Sequence, residues 1–75
     1  MSSMKTQKSV FAEKLAELRK ERGVSQAKLA QSLGLDPSTV AKYETGDRQP
    51  DLFTLVRLAD YFDVSTDYLL GRKEY

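Results

Sequence analysis

Residues 26–46 read QAKLAQSLGLDPSTVAKYETG, and this pattern predicts two short helices joined by a tight turn. Gly34 ends the first helix, because glycine readily adopts the left-handed conformation that stops a helix. Asp36 and Pro37 begin the second helix, since an aspartate side chain accepts bonds from first-turn amides and proline fits the first helical position. Gly46 ends the second helix as Gly34 ends the first.

The spacing of small and apolar residues predicts how these two helices pack. Counting from Gln26, the small residue Ala30 is fifth and Gly34 is ninth. The apolar residues Val40 and Tyr43 are fifteenth and eighteenth. Two helices that cross steeply need a small side chain at the crossing, a glycine at the turn and apolar anchors beneath the second helix. The segment meets each requirement.

Helical periodicity on either side of this segment predicts an all-α fold. Phe11, Leu15 and Leu18 recur at helical spacing, and no run of β-branched residues alternates as in a strand. The predicted helices are Val10 to Arg22, with Ser9 as N-cap, then Gln26 to Leu33, Pro37 to Thr45, Asp51 to Phe62 and Ser65 to Leu70. We expect one domain over residues 9–71, a flexible N-terminal tail at residues 1–8 and a C-terminal tail at residues 72–75.

Composition restricts the classes of function. The chain has 75 residues, of which 40% are hydrophobic and 31% charged, enough for one modest core. Because it contains no Cys and no His, we expect no disulfide, no metal site, no cofactor and no enzyme nucleophile. The acidic residues Asp60, Asp63 and Asp67 are expected to be solvated rather than catalytic. The absence of Cys favours a cytoplasmic protein, and the absence of a long apolar run argues against a membrane segment. We also expect no small-molecule substrate.

The charge is nearly balanced but unevenly placed. A net charge of +1 and a pI of about 8.0 argue against binding nucleic acid by bulk charge alone. Residues 1–30 carry seven Lys or Arg against three acidic residues, and the remainder carries five against eight. This layout suits a protein with one side facing phosphates. Lys5 and Lys8 can form an arm that reaches DNA, although charged tails are commonly just solvated.

The second helix of the segment has two distinct faces. Val40 and Tyr43 point to one side, and the opposite side carries small or polar residues: Ser38, Ala41, Lys42 and Thr45. Such a face can enter a DNA major groove, where lysine donates to guanine, serine bonds either kind of partner and alanine touches a thymine methyl. An ordinary solvated helix face is the alternative interpretation.

From Gln26 to Gly46, and more loosely from Phe11 to Gly71, the chain resembles the Cro and phage-repressor type of helix-turn-helix domain, also called the xenobiotic-response-element (XRE) family. The matching residues are Leu18-Arg19, Ser25-Gln26, Leu29-Ala30, Leu33-Gly34, Val40, Lys42 to Gly46, Pro50, Leu55, Leu58-Ala59 and Val64-Ser65. The resemblance implies a compact, lambda-repressor-like five-helix bundle with the helix-turn-helix in helices two and three. It also implies a bacterial or phage-encoded transcriptional repressor that binds a two-fold-related operator in double-stranded DNA as a homodimer.

Carried over by position, the resemblance implies base-reading residues on helix three. Ser38 and Lys42 are the main candidates, with Thr39 and Ala41 beside them. Pro37 also falls on a base-reading position, but it lacks an amide hydrogen and a polar side chain, so helix initiation is its expected role.

The resemblance further implies phosphate contacts and an ion pair. Gln26 and Lys28 lie at the start of helix two and Arg48 follows helix three, where phosphate contacts are expected. Arg19 and Glu44 match an interhelical ion pair, whose main role is to fix the orientation of two helices. A phosphate contact by Arg19 is the lesser alternative.

Several apolar residues are surplus to the predicted core. They are Phe53, Val56, Tyr61, Tyr68 and Leu70, and they can form a self-association surface. Alternatively, Phe53 and Tyr61 fold over neighbouring side chains. A second functional class also stays open: the same fold can serve as a protein-interaction module, such as an antitoxin or an accessory factor.

Overall fold

The computed structural model describes residues 7–74, and their side chains from Val10 onward. Within these residues the chain forms five helices and no strand, so the predicted all-α class is confirmed. The helices are α1 (Gln7–Glu21), α2 (Gln26–Leu33), α3 (Pro37–Thr45), α4 (Leu52–Phe62) and α5 (Thr66–Leu69).

Helix α1 begins earlier than predicted. It starts at Gln7, so Ser9 lies inside the helix and does not cap it. Gln and Lys cost little in a helix, and a single serine does not prevent the chain from extending the helix toward its N-terminus. Gln7 and Lys8, which the sequence assigned to the N-terminal tail, lie in the first turn of α1. Residues 1–6, including Lys5, lie outside the described residues, as do the Lys8 side chain and Tyr75.

Side-chain caps explain where the other helices begin. Each capping oxygen accepts a hydrogen bond from an amide two or three residues later, which satisfies a donor that has no partner within the helix. The caps are Ser25 on Lys28 N (3.0 Å), Asp36 on Ser38 N (3.0 Å), Asp51 on Thr54 N (2.8 Å) and Ser65 on Tyr68 N (2.9 Å).

One hydrophobic core joins the helices. Helix α1 packs against α3 and α5, α2 packs against α3, and α4 packs against α5. The rings of Phe11 and Tyr43 meet edge to face, with centroids 6.1 Å apart. The buried cluster comprises Phe11, Leu15, Leu18, Leu29, Ala30, Leu33, Val40, Tyr43, Leu58, Ala59, Phe62 and Leu69.

The crossing of α2 and α3 has the predicted features. Ala30 is fully buried, and Gly34 has a φ of 69°, the left-handed conformation that ends α2. Val40 and Tyr43 are buried beneath α3. These anchors hold α3 with one face against the bundle, so the opposite face is directed outward.

Candidate nucleic-acid interface

The outer face of α3 is the candidate reading surface. Ser38 and Lys42 are both exposed, one helical turn apart, while Val40 and Tyr43 between and beyond them are buried. Both polar side chains are therefore accessible to a large ligand. As the helical wheel predicted, α3 packs against the bundle through its apolar face and exposes polar side chains on the opposite face.

The flanking candidates are less accessible. Thr39 and Ala41 are half-buried, and Ala41 presents only a methyl group at this surface. Pro37 is exposed at the start of α3, where it has no amide hydrogen to offer. The Thr45 hydroxyl lies 2.9 Å from an Asp47 carboxylate oxygen, so it belongs to the turn after α3.

Ser38 is bonded to the cap of its own helix. One oxygen of Asp36, Oδ1, accepts from the Ser38 amide at 3.0 Å and from the Ser38 hydroxyl at 2.9 Å. The backbone bond and then the hydroxyl bond from Ser38 lower the pKa of Asp36, so its carboxylate is charged at neutral pH. The sequence indicated the cap but not the hydroxyl bond.

The three phosphate candidates are in different surroundings. Lys28 on α2 and Arg48 after α3 are exposed. The amides of Asp47 and Arg48 both donate to the Lys42 carbonyl oxygen, at 3.0 and 3.2 Å, which folds the Arg48 loop back onto α3. Gln26 is half-buried, and its Nε2 donates to Glu44 Oε1 at 3.0 Å.

Arg19 and Glu44 join α1 to the end of α3. Arg19 Nε donates to Glu44 Oε2 at 2.6 Å, and a second guanidinium nitrogen donates to Oε1 at 3.0 Å. A third nitrogen donates to the Val24 carbonyl at 3.0 Å. The side chains are only 13% and 9% exposed, so the pair is largely shielded from water. Every guanidinium nitrogen of Arg19 is thus engaged within the fold.

The charges of this pair are mutually stabilised. Burial alone would raise the pKa of Glu44, but the hydrogen bonds from Arg19 and Gln26 and the nearby positive charges outweigh it, and the pKa is lowered. The hydrogen bond to Glu44 raises the pKa of Arg19. Both groups are therefore ionised, and Gln26 is held beside them at the start of α2.

The apolar candidates for self-association divide into two groups. Phe53 and Val56 are 78% and 41% exposed, and Leu52, which sequence reasoning missed, is 71% exposed. Tyr61 and Tyr68 instead pack against the core, and Tyr61 meets Phe62 edge to face at 4.9 Å.

Tyr68 and Leu70 are only half-buried residues at the C-terminal end of the bundle. The Lys14 ammonium lies 4.6 Å from the centre of the Tyr68 ring. The exposed apolar surface is therefore narrower than the sequence suggested. We call Leu52, Phe53 and Val56, which share one face of α4, the α4 patch.

The described residues contain neither a membrane-spanning helix nor a cluster of metal-ligating side chains. No helix within residues 7–74 is long and apolar enough to cross a membrane. In the same part of the chain, no three acidic side chains lie close enough together to hold a metal ion.

Comparison with known proteins identifies relatives of this arrangement. AnsR, an HTH-type transcriptional regulator of Bacillus subtilis, is 47% identical over 62 residues, which cover 83% of this chain and 53% of AnsR. The prophage-derived regulator YonR of the same species is 43% identical over 61 residues, covering 81% of this chain and 56% of YonR. RstR of Vibrio cholerae, a cryptic-phage transcriptional repressor, is 38% identical over 60 residues, covering 80% of this chain and 54% of RstR.

The chain spans about half the length of these curated relatives, between 53% and 56%. The helix-turn-helix family model matches residues 15–69, which include all of α2 to α5 and the ion pair. With α2 and α3 packed against each other and this match over most of its length, the chain belongs to the helix-turn-helix family of the XRE, phage-repressor type.

Proposed function

We propose that this chain binds double-stranded DNA sequence-specifically, with α3 in the major groove, and regulates transcription as a homodimer on a two-fold-related operator. The observation that carries the proposal is the exposure of Ser38 and Lys42 on a helix whose opposite face is buried through Val40 and Tyr43. A helix fixed in this way can bring two polar side chains to base edges without distorting the fold.

The chemistry of this face suits base recognition. Lys42 offers an ammonium group to guanine O6 or N7. Ala41 and Thr39 present small side chains, which allow the helix axis to come close to the bases and let a methyl group touch thymine. Pro37 contributes by fixing the start of α3.

Phosphate contacts are assigned to the elements that flank α3. Lys28 and Arg48 are exposed cations on α2 and on the loop after α3. Gln26 Nε2 carries two hydrogens, of which one is donated to Glu44, so the second can bind a phosphate oxygen. The first-turn amides of α2 lie beside it and favour an anion.

A homodimer explains how so small a domain gains affinity and specificity. Two-fold pairing presents two reading helices about 34 Å apart, one turn of the duplex. The α4 patch supplies exposed apolar surface of the kind that marks association sites. We assign pairing of two copies to this patch.

We assign repression as the regulatory outcome. A bound dimer blocks a promoter sterically, which requires nothing more than DNA binding. The relatives include RstR, which is named a phage transcriptional repressor.

Salt-titrated binding to a random-sequence duplex pool, followed by sequencing of the retained fraction, tests the proposal. If a dimer neutralises four phosphates through Lys28 and Arg48, log K should fall with log salt with a slope of about −3.6, which is roughly a 150-fold loss of affinity between 50 and 200 mM. The retained fraction should contain a palindrome. Binding that is independent of salt, or a retained pool without sequence preference, would refute sequence-specific recognition.

A protein-interaction module is the second candidate function. The net charge of only +1 and the exposure of the α4 patch favour it. Such a module, like an antitoxin or an accessory factor, would hold another protein through α4. In the duplex-pool experiment such a module would not enrich any DNA sequence.

A further inference from the structure

The hydroxyl of Ser38 is engaged as a donor to the cap of its own helix. The contact between Ser38 Oγ and Asp36 Oδ1, at 2.9 Å, needs one hydrogen, and an ionised carboxylate has none to give. The hydrogen therefore belongs to the serine and points toward Asp36. Because a hydroxyl has one hydrogen and two lone pairs, Ser38 is left with acceptor capacity alone.

This polarity divides the bases into two classes. In the major groove, adenine N6 and cytosine N4 carry donor hydrogens, whereas guanine offers N7 and O6 and thymine offers O4, all acceptors. An acceptor-only oxygen binds the first class and repels the second. The adjacent Asp36 carboxylate, which is also exposed, adds negative charge at the same end of α3 and reinforces the choice.

We propose that Asp36 makes Ser38 an acceptor-only reader, so that the base facing Ser38 is one with an exocyclic amino group, adenine or cytosine. The proposal rests on the proposed function and deepens it. It gives α3 opposite polarities at two points one turn apart: an acceptor at Ser38 and a donor at Lys42, which matches guanine.

A first experiment identifies the base that Ser38 reads. Random-duplex selection is run in parallel with the wild-type chain and with Ser38→Ala. One base pair of each half-site should lose its preference in Ser38→Ala. Because every Watson–Crick pair contains one base with an exocyclic amino group in the major groove, adenine or cytosine, this selection identifies the pair, and the next experiment tests whether its amino group is the contact. A Ser38→Ala selection with no altered base pair would overturn the proposal.

A second experiment removes the amino group itself. At the identified position, purine replaces adenine, or pyrimidin-2-one replaces cytosine, in an otherwise unchanged duplex. Loss of the amino group should weaken DNA binding by the wild-type chain about fivefold, which corresponds to one hydrogen bond. It should not change DNA binding by Ser38→Ala. Equal weakening of both proteins would overturn the contact.

A third experiment tests the role of Asp36. Asp36→Asn keeps a helix-capping side chain but accepts the serine hydrogen less strongly, so discrimination at the Ser38 position should fall to about twofold. Asp51→Asn is the matched control, because Asp51 is likewise an exposed cap, on α4, 2.8 Å from the Thr54 amide. If both variants reduce discrimination at the Ser38 position equally, the cause is helix capping or net charge, and the proposal is overturned.

The proposed DNA binding and the proposed role of Ser38 would be refuted by different results. If the wild-type chain enriches no sequence, the proposed function fails. If it enriches a palindrome, but loss of the amino group at the Ser38 base pair weakens the wild-type chain and Ser38→Ala equally, DNA recognition stands and the acceptor-only assignment fails.

Discussion

Arg19 and Glu44, 25 residues apart in sequence, form two hydrogen bonds of 2.6 and 3.0 Å that join α1 to the last turn of α3. Gln26 at the start of α2 donates to the same carboxylate. Three helices therefore meet at the Glu44 carboxylate, and this contact fixes the orientation of α3 without using its outer face.

Removing one partner of this pair should destabilise the fold. In Arg19→Ala, Glu44 is left as a largely buried, unpaired charge, which costs about 3 kcal/mol. For a domain of this size the total stability is about 5 kcal/mol, so the melting temperature should fall by more than about 10 °C. Urea unfolding of Arg19→Ala against Glu17→Gln, a change at an exposed site on α1, measures this. Equal stability of the two variants would contradict a structural role for the pair.

The stability should depend on pH in the acid range. The folded-state pKa values of Glu44, Asp36 and Asp51 are lowered, each by hydrogen bonds to the carboxylate, with burial opposing the shift at Glu44. A carboxylate with a lowered folded pKa contributes stability that is complete above its unfolded pKa, near 4, and is lost as the pH falls through the folded value.

Thermal melts between pH 7 and pH 2 test this dependence. Stability should be flat at the upper end and should fall below about pH 4. Glu44→Gln should be less stable than wild type at neutral pH and should lose less on acidification, since one titrating group is gone. A wild-type curve that rises toward low pH would contradict the assignment.

Local signals explain why helices α2 and α3 were predictable to the residue. The capping residues and glycines that begin and end these helices lie next to the helix ends in the sequence. The bounds of both helices can therefore be predicted from one short segment. The start of α1 was missed because Ser9 is a typical capping residue, whereas the helix extends past Ser9 to Gln7.

Non-local contacts explain what sequence reasoning missed. Arg22 donates to the Phe62 carbonyl oxygen at 2.7 Å, across 40 residues, where it satisfies the C-terminal end of α4. The bond from Gln26 to Glu44 and the exposure of Leu52 depend likewise on how helices pack. A helical wheel describes one helix at a time, so it also could not tell that Tyr61 lies against the core.

The proposed base and phosphate contacts should respond differently to mutation. Lys42→Ala should relax the preference for guanine at one position of each half-site, worth about 1–3 kcal/mol of discrimination. Arg48→Ala should weaken binding to all sequences alike and make the salt slope of a dimer shallower by about 2. Affinities for a selected site and its guanine variants, at several salt concentrations, separate the two effects. A Lys42→Ala protein with unchanged preferences would exclude base reading by that residue.

Disrupting the α4 patch should uncouple pairing from base recognition. Phe53 is 78% exposed, so Phe53→Ser removes apolar surface without opening a cavity in the core. If two copies pair there, the variant should sediment as a monomer at concentrations where wild type is dimeric. Its affinity for a full palindrome should then fall at least tenfold, while the weak binding to a half-site stays unchanged. Arg57→Ser, at an exposed position next to the patch, serves as the matched control. Because a monomer keeps α3 intact, loss of half-site binding in Phe53→Ser would show that Phe53 acts on DNA or on folding, and not on pairing.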